Sequence, residues 1–347
     1  MTTDEHEMTG ARSAREVLVW GRSVIDPALR AAVDRLPCSL RRIAGYHFGW
    51  WDERGHPTGA GGGKAIRPTL TLLAAEAVGG VPVAVVPAAV AVELAHNFSL
   101  LHDDVMDGDT TRRHHPTAWT VFGLNAAVLG GDALLALALD VLASSGNPAA
   151  ERGMGMLSTA VLEMVHGQSE DVAFEARADV DLAECLDMAE RKTGALLGCA
   201  CALGASFGGG SEEQVEHLRS FGEQVGLAFQ LVDDLLGIWG DPKVTGKPAY
   251  SDLHNRKKSL PVVAALTCSA PAGRELSTLY HRSQPLSEDD VVHAAELIDA
   301  AGGRSWSQAH VDDLMEQALS HLRSARPTAQ AAAELSTLTR LITHRDR

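Results

Sequence analysis

From Ala84 to Asp107 the chain reads AVVPAAVAVELAHNFSLLHDDVMD: nineteen residues with a single charge, then three aspartates within one turn and a half of helix. The spacing predicts one long helix ending near Asp107. A helix that is apolar on nearly every side must be surrounded by other elements. The rest of the chain reads as material of the same kind. Helical stretches are expected at 69–78, 118–144, 150–176, 181–208, 211–239, 259–269, 287–302, 305–325 and 328–345, and no stretch shows convincing strand alternation. An earlier helix is predicted over 26–36, with Asp26 as N-cap and Pro27 at the first helical position. Hydrophobic residues make up 45% of the chain and aromatics only 5%, a balance that suits alanine- and leucine-rich helices. The expected fold is therefore all-α, a single large helical bundle. Residues 1–14 read as a polar, disordered tail and 15–347 as one domain. Two glycine-rich basic loops interrupt the helices, RGHPTGAGGG at 54–63 and GDPKVTGKPAYSDLHNRKK at 240–258.

The formal net charge is −15. That makes the chain a poor candidate for non-specific nucleic-acid or anionic-membrane binding, and is compatible with metal cations or local basic pockets. The cysteines, at 38, 185, 199, 201 and 268, are odd in number, scattered and without a CxxC pair, so they read as reduced thiols. The polar, acidic N-terminus is unlike a signal peptide. No apolar run of about 18 residues is unbroken, so no membrane span is expected and a cytoplasmic location is.

Asp103 and Asp107 are four residues apart and share a helix face, with Asp104 beside them. Like charges at that spacing destabilise a helix, and a helix C-terminus already carries partial negative charge. Something positive must compensate. A second apolar helix, FQLVDDLLGIWGD, ends in Asp233 and Asp234. Two such clusters facing across a bundle core would suit Mg²⁺, which takes oxygen ligands and keeps water or phosphate oxygens. No His–Cys grouping suggests zinc. Basic residues follow the acids closely: Lys64 and Arg67 in GGGKAIRP, Arg112 and Arg113 in TTRRHHP, Lys192 in ERKTG, Lys247 in TGKP, and Arg256, Lys257 and Lys258 in RKKSLP. Singly each is a solvated surface charge. Together they place phosphate-matching cations beside both acid clusters. His96 lies two turns before Asp103, about 10 Å up the same face.

These motifs resemble the trans-isoprenyl diphosphate synthases, the polyprenyl synthetase family, over nearly the whole chain. GGKAIRP looks like the family's GK-x-x-RP loop. DDVMDGDTTRR is similar to its first aspartate-rich motif, and GQSED to its GQ-x-x-D, giving Gln168 and Asp171. KTG, FQLVDD, TGKP and KKSLP follow in the family's order. The resemblance implies a bundle with a central diphosphate and metal cavity. It implies that Lys64, Arg67, His96 and Arg113 bind isopentenyl diphosphate. Asp103, Asp104, Asp107, Asp233 and Asp234 would hold several Mg²⁺ ions, about three with diphosphate bound. Arg112, Lys192, Lys247 and Lys258 would contact an allylic diphosphate, and Thr193 and Gln230 would face the developing cation. The implied reaction is Mg²⁺-dependent head-to-tail prenyl transfer, in a homodimer. One position departs from the pattern. The second motif reads DDLLG, with Gly237 at the third acidic place, which predicts weaker Mg²⁺ affinity.

Phe98 lies five residues, about 7.5 Å, below Asp103 along the helix, with Ser99 beside it. An aromatic there, a small next residue and no insertion in DDVMD resemble the archaeal-type geranylgeranyl synthases. The expected product is thus (all-E) geranylgeranyl diphosphate, C20, with farnesyl diphosphate, C15, as the alternative. A terpene cyclase on the same scaffold would not need Lys64, Arg67, His96 and Arg113. A non-catalytic partner subunit finds support only in DDLLG.

Overall fold

The computed structural model describes residues 10–58, 63–113, 115–177, 179–242, 249–282 and 284–343. Lys247 and the tail through residue 9 lie outside them. The described residues are almost entirely helical, as expected; a two-residue hairpin pairs Thr111–Arg112 with His115–Pro116, too short for any strand pattern to announce. The chain divides into two compact units. One comprises Met1–Thr159, Cys199–Arg219 and His321–Leu338, and the other Ala160–Gly198, Ser220–Ser320 and Thr339–Arg347.

In the first unit the Pro82–Met106 helix is the centre, packed on the Leu124–Ala143, Ile66–Ala77 and Ala14–Val33 helices. Pro82 stands at its N-terminus, where a missing N–H costs nothing. Its inner turns, Ala88 to Ala95, are buried throughout. The Pro82–Met106 and Leu124–Ala143 helices are long and apolar enough to cross a membrane by length and composition alone, yet each packs against the other as core. Their approach depends on Gly131, whose position a Cβ would fill against the His102 ring. His102 Nε2 donates to the Val128 carbonyl (3.0 Å), pinning the same crossing.

Two expectations shift here. The first helix runs Ala14–Val33, with Pro27 inside it. Its cap is Ser13: the hydroxyl accepts from the Glu16 N–H, and the Glu16 carboxylate accepts from the Ser13 N–H (2.8 Å). Order therefore begins before Ala14. Arg12 donates to the buried Glu334 carboxylate and to Glu76 (2.7 Å). The helical stretch 118–144 is also divided, because Gly123 at φ 90° ends Ala118–Phe122 before Leu124–Ala143 starts.

In the second unit one core gathers Cys185, Met188, Leu231, Leu260 and Val311. A second gathers Ile238, Leu253, Leu276, Val291 and Ile298. Between Leu182–Ala189 and Ala195–Phe207 the helix widens into a π-turn, Glu190–Gly194. Such turns concentrate at functional sites, and this one carries ERKTG.

Candidate active site

The first unit gathers cationic side chains, with Arg67 half-buried and Arg113 exposed. Arg67 Nη1 donates to His96 Nε2 (3.1 Å), and Arg67 Nε is buried with no hydrogen-bond partner. Burial lowers the Arg67 guanidinium to about 10, only partly opposed by Glu93. Burial holds His96 well below its ordinary range, so His96 is neutral and accepts from Arg67. Glu93 lies beneath both arginines, and its carboxylate accepts from Asn97 Nδ2 (3.1 Å). Arg113 adopts a left-handed conformation (φ 53°) and rests against Gly63, where a Cβ would come 2.6 Å from Nη2. Lys64 stands exposed on that loop. A half-buried guanidinium with an unpartnered Nε, beside an exposed arginine and lysine, makes a receptor for an anion rich in oxygen. Alongside opens a cavity of about 460 Å³, lined in part by Tyr46, His47, Trp51, Asp104, Arg112 and Arg113. His47 was not singled out by sequence. Burial, with Arg113 and Arg112 close by, depresses it to about 3.

The first aspartate motif separates into two roles. Asp103 is half-buried and Asp107 exposed, one turn apart; the Asp107 N–H caps the helix on the Asp103 carbonyl (2.8 Å). Asp104 turns inward, 1% exposed, and accepts from Arg112 Nε (2.5 Å). Its other oxygen, Oδ2, is buried without a hydrogen-bond partner, and burial keeps its carboxyl raised despite Arg112. Arg112 thus neutralises the motif from behind, also approaching Asp109 (3.9 Å).

The second unit assembles the remaining motifs through close glycine contacts. At Gly167 a Cβ would meet the Lys192 backbone nitrogen at 2.5 Å, so the glycine of GQSED lets its helix close on the π-turn. Lys192 Nζ then reaches Asp171 (2.5 Å) and, against the cost of burial, holds that carboxyl below its usual range. Gln168 is 7% exposed, with both amide atoms unpartnered. Gly226 faces Gly194, where a Cβ would come 2.7 Å from the opposing Cα. That approach allows a relay: Thr193 Oγ1 donates to Gln230 Oε1 (2.7 Å), and Gln230 Nε2 donates to Asp234 Oδ1 (2.8 Å).

Asp234 is buried and its Oδ2 accepts from the Leu260 N–H (3.0 Å), fixing the start of the Leu260–Leu266 helix. Burial raises it to about 6. Asp233 beside it is exposed. Of the two neighbouring lysines, Lys258 donates to the Phe174 carbonyl (2.7 Å). Lys257 is the one among the acids. Burial works against its charge, yet Asp234, Asp171, Asp252 and Asp233 together hold it protonated well above the ordinary lysine range. At Gly237 the space for a side chain is filled by another carboxylate: a Cβ there would lie 2.5 Å from Asp252 Cγ and 2.7 Å from its Oδ1.

These donors fit Mg²⁺. They are oxygen throughout, Asp103 and Asp107 stand one turn apart, and Asp104 keeps a buried oxygen without a hydrogen bond. Among the described residues no three His, Cys, Asp or Glu side chains converge into a ready-made ion cage. Mg²⁺ tolerates that, because it completes its shell with water and phosphate oxygens.

Comparison with known proteins agrees with this chemistry. A family model described as polyprenyl synthetase matches residues 54–298. A (2E,6E)-farnesyl diphosphate synthase of Mycobacterium tuberculosis (strain ATCC 25618 / H37Rv) is 45% identical over 345 residues, 99% of this chain and 96% of that one. A geranylgeranyl diphosphate synthase of the same strain is 41% identical over 333 residues, 96% and 94% of the two chains. The crystal structure of a polyprenyl synthetase from Streptomyces coelicolor A3(2) superposes with TM-score 0.90 at 45% identity, covering 94% of this chain and 98% of that one. That of a geranylgeranyl pyrophosphate synthase from Corynebacterium glutamicum, complexed with isoprenyl diphosphate and magnesium, gives 0.78 at 27% identity, covering 96% and 98%. The chain belongs to the polyprenyl synthetase family of trans-isoprenyl diphosphate synthases and is a prenyltransferase.

Proposed function

We propose that the protein condenses isopentenyl diphosphate with an allylic diphosphate, head to tail, and stops at (all-E) geranylgeranyl diphosphate, releasing pyrophosphate. The observation that carries the product length is Phe98. It is 6% exposed, its ring meets His102 edge-on (centroids 4.8 Å apart), and Ala95 one turn deeper is fully buried and small. A ring locked at that depth is a floor for a growing tail. The 45%-identical relative named a farnesyl diphosphate synthase favours the shorter C15 product.

In this reading Arg67, Arg113, His96 and Lys64 take the diphosphate of isopentenyl diphosphate. Phosphate oxygens would return to Arg67 the hydrogen bond that burial removed. Asp103, Asp107 and Asp233 offer ligands to Mg²⁺, with Asp104 and Asp234 behind them. When bound, the metal stabilises negative charge on the departing allylic diphosphate. Lys192, Lys257 and Lys258 add positive charge to the same leaving group, Lys258 through the donors beyond the one it gives the Phe174 carbonyl, and Lys247 lies outside the described residues. Thr193 gives its only hydroxyl proton to Gln230, so its oxygen presents lone pairs to the carbocation forming at C1. The isopentenyl double bond attacks C1, and the proton lost from C2 passes to the released pyrophosphate. The half-exposed apolar Leu124–Ala143 helix, with Leu124 and Leu129 open to solvent, suits a soluble homodimer.

The test is the purified protein alone with Mg²⁺, labelled isopentenyl diphosphate and C5, C10 or C15 allylic primers. Elongation ending at C20 supports the proposal, and ending at C15 selects the farnesyl alternative. Hydrocarbon formed from one prenyl diphosphate selects a cyclase. No turnover without a second chain selects a partner subunit.

A further inference from the structure

One fully buried polar side chain interrupts the apolar run before the first aspartate motif, and its amide is only half answered. Asn97 Nδ2 donates to the Glu93 carbonyl (2.8 Å) and to Glu93 Oε1 (3.1 Å), while Asn97 Oδ1 is buried with no hydrogen-bond partner. An acceptor left that way is costly, so its position calls for a reason. A second unanswered atom lies near it. His47 Nε2, at the end of the Cys38–His47 helix, is also buried without a partner, and Asn97 is near enough to favour the imidazole N–H. We propose that His47 is a positioning residue for the isopentenyl diphosphate end of the site: its Nε2–H orients the Asn97 amide, Asn97 holds the Glu93 carboxylate, and Glu93 sets how Arg67 and Arg113 meet the diphosphate.

The chemistry gives the chain a direction. Both Nδ2 protons of Asn97 go to Glu93, so Oδ1 can only accept, and it needs a donor. Neutral His47 has one N–H. Placed on Nε2, that proton answers both orphaned atoms at once. Glu93 then passes the constraint on, because its carboxylate feels Arg67 and Arg113. The His47 ring also lines the cavity beside Arg112 and Arg113. An imidazolium there would add a third cation, and burial keeps the ring neutral, so it acts through its N–H. The end of the Cys38–His47 helix is fastened where this role needs it. The Tyr46 hydroxyl donates to the Pro116 carbonyl (2.9 Å), tying the helix to the hairpin that carries Arg112. The Tyr46 ring meets Phe122 edge-on (centroids 5.1 Å apart). Trp51 Nε1 donates back to the Arg42 carbonyl (2.9 Å), and Gly45 leaves room for the Trp51 ring against the helix. Tyr46, His47 and Trp51 all lie ahead of the family match at 54–298.

This inference rests on the proposed place of isopentenyl diphosphate, and the two fail separately. Calorimetric binding of isopentenyl diphosphate alone needs no turnover. If the unaltered protein does not bind it, that placement falls and this inference with it. If the unaltered protein binds, variants decide the role of His47, with thermal melting as the folding control. His47→Phe keeps a ring and loses the N–H. It is expected to raise Kd and KM for isopentenyl diphosphate about tenfold, the usual cost of one buried acceptor left unanswered. KM for the allylic primer is expected to stay within about twofold, because Asn97 and Glu93 act on the other diphosphate. His47→Gln, whose amide nitrogen reaches about as far as Nε2, is expected to recover most of the loss. Should His47→Phe fail to fold, His47→Asn, which reaches only as far as Nδ1, takes its place with the same expectation. Unchanged isopentenyl diphosphate binding in the variant lacking the donor overturns the proposal. So does an equal rise in both KM values, or a Gln variant no better than the Phe or Asn one.

Discussion

At the scale of single residues, position in the motif and position in space diverge. The resemblance assigned Lys258 to the allylic diphosphate; one of its three N–H donors goes to the Phe174 carbonyl, while neighbouring Lys257 sits among four carboxylates. Sequence cannot choose between adjacent lysines on an irregular segment, because no period sets which one points inward. The paired aspartates were legible as ligands, yet their division into half-buried Asp103, exposed Asp107 and Asp233, and buried Asp104 and Asp234 needed coordinates. His47 was invisible for the same reason: nothing local marks a histidine that tertiary contacts will bury beside two arginines. Its folded value of about 3 lies below the 6.5 of an unfolded imidazole. The unfolded chain therefore binds the extra proton, and stability falls as pH drops from about 6.5 toward 3. At pH 5 this one group contributes a loss of about 2 kcal/mol. Urea unfolding of His47→Gln should show a correspondingly smaller difference between pH 7.5 and pH 5 than the unaltered protein; equal differences would place the acid sensitivity elsewhere. Phe98→Ala should lengthen the product by one or more five-carbon units, read by chromatography, while costing about 3–5 kcal/mol of stability. An unchanged product would assign the floor to another side chain.

Among elements, the long helices were readable because apolar runs and terminal acids or glycines mark them. The Pro82–Met106 and Glu212–Trp239 helices end within a few residues of their expected places. Other boundaries failed for identifiable reasons. The Ser13–Glu16 capping box was masked by a polar, acidic start, so Asp26 and Pro27 drew the boundary too late. The π-turn at Glu190–Gly194 leaves no mark on apolar spacing over so few residues. What makes that turn usable is the contact between Gly194 and Gly226, where the backbones meet without side chains. Gly226→Ala should force them apart, at a cost of about 1–3 kcal/mol. The Thr193–Gln230 bond would loosen with them. A kcat reduced by more than the KM changes is the expected signature; full activity with only a lower Tm would make the contact purely structural.

For the molecule as a whole, the all-α class followed from the absence of any alternating pattern, and each unit confirms it. The association state is a separate matter, written on the outside. Leu124 and Leu129 are 54% and 57% exposed on the apolar, half-exposed Leu124–Ala143 helix. In the proposed homodimer, Leu129→Glu should give monomers in sedimentation velocity, and an unaltered sedimentation coefficient would remove this face from the interface. Within the first unit, Arg12 grips Glu334 across 322 residues of chain. That clasp has a consequence in time. Synthesis at about 5–20 residues per second separates the two partners by roughly 15–60 s. The opening helix therefore leaves the ribosome with its arginine unanswered, and its home is complete only when the last helix arrives.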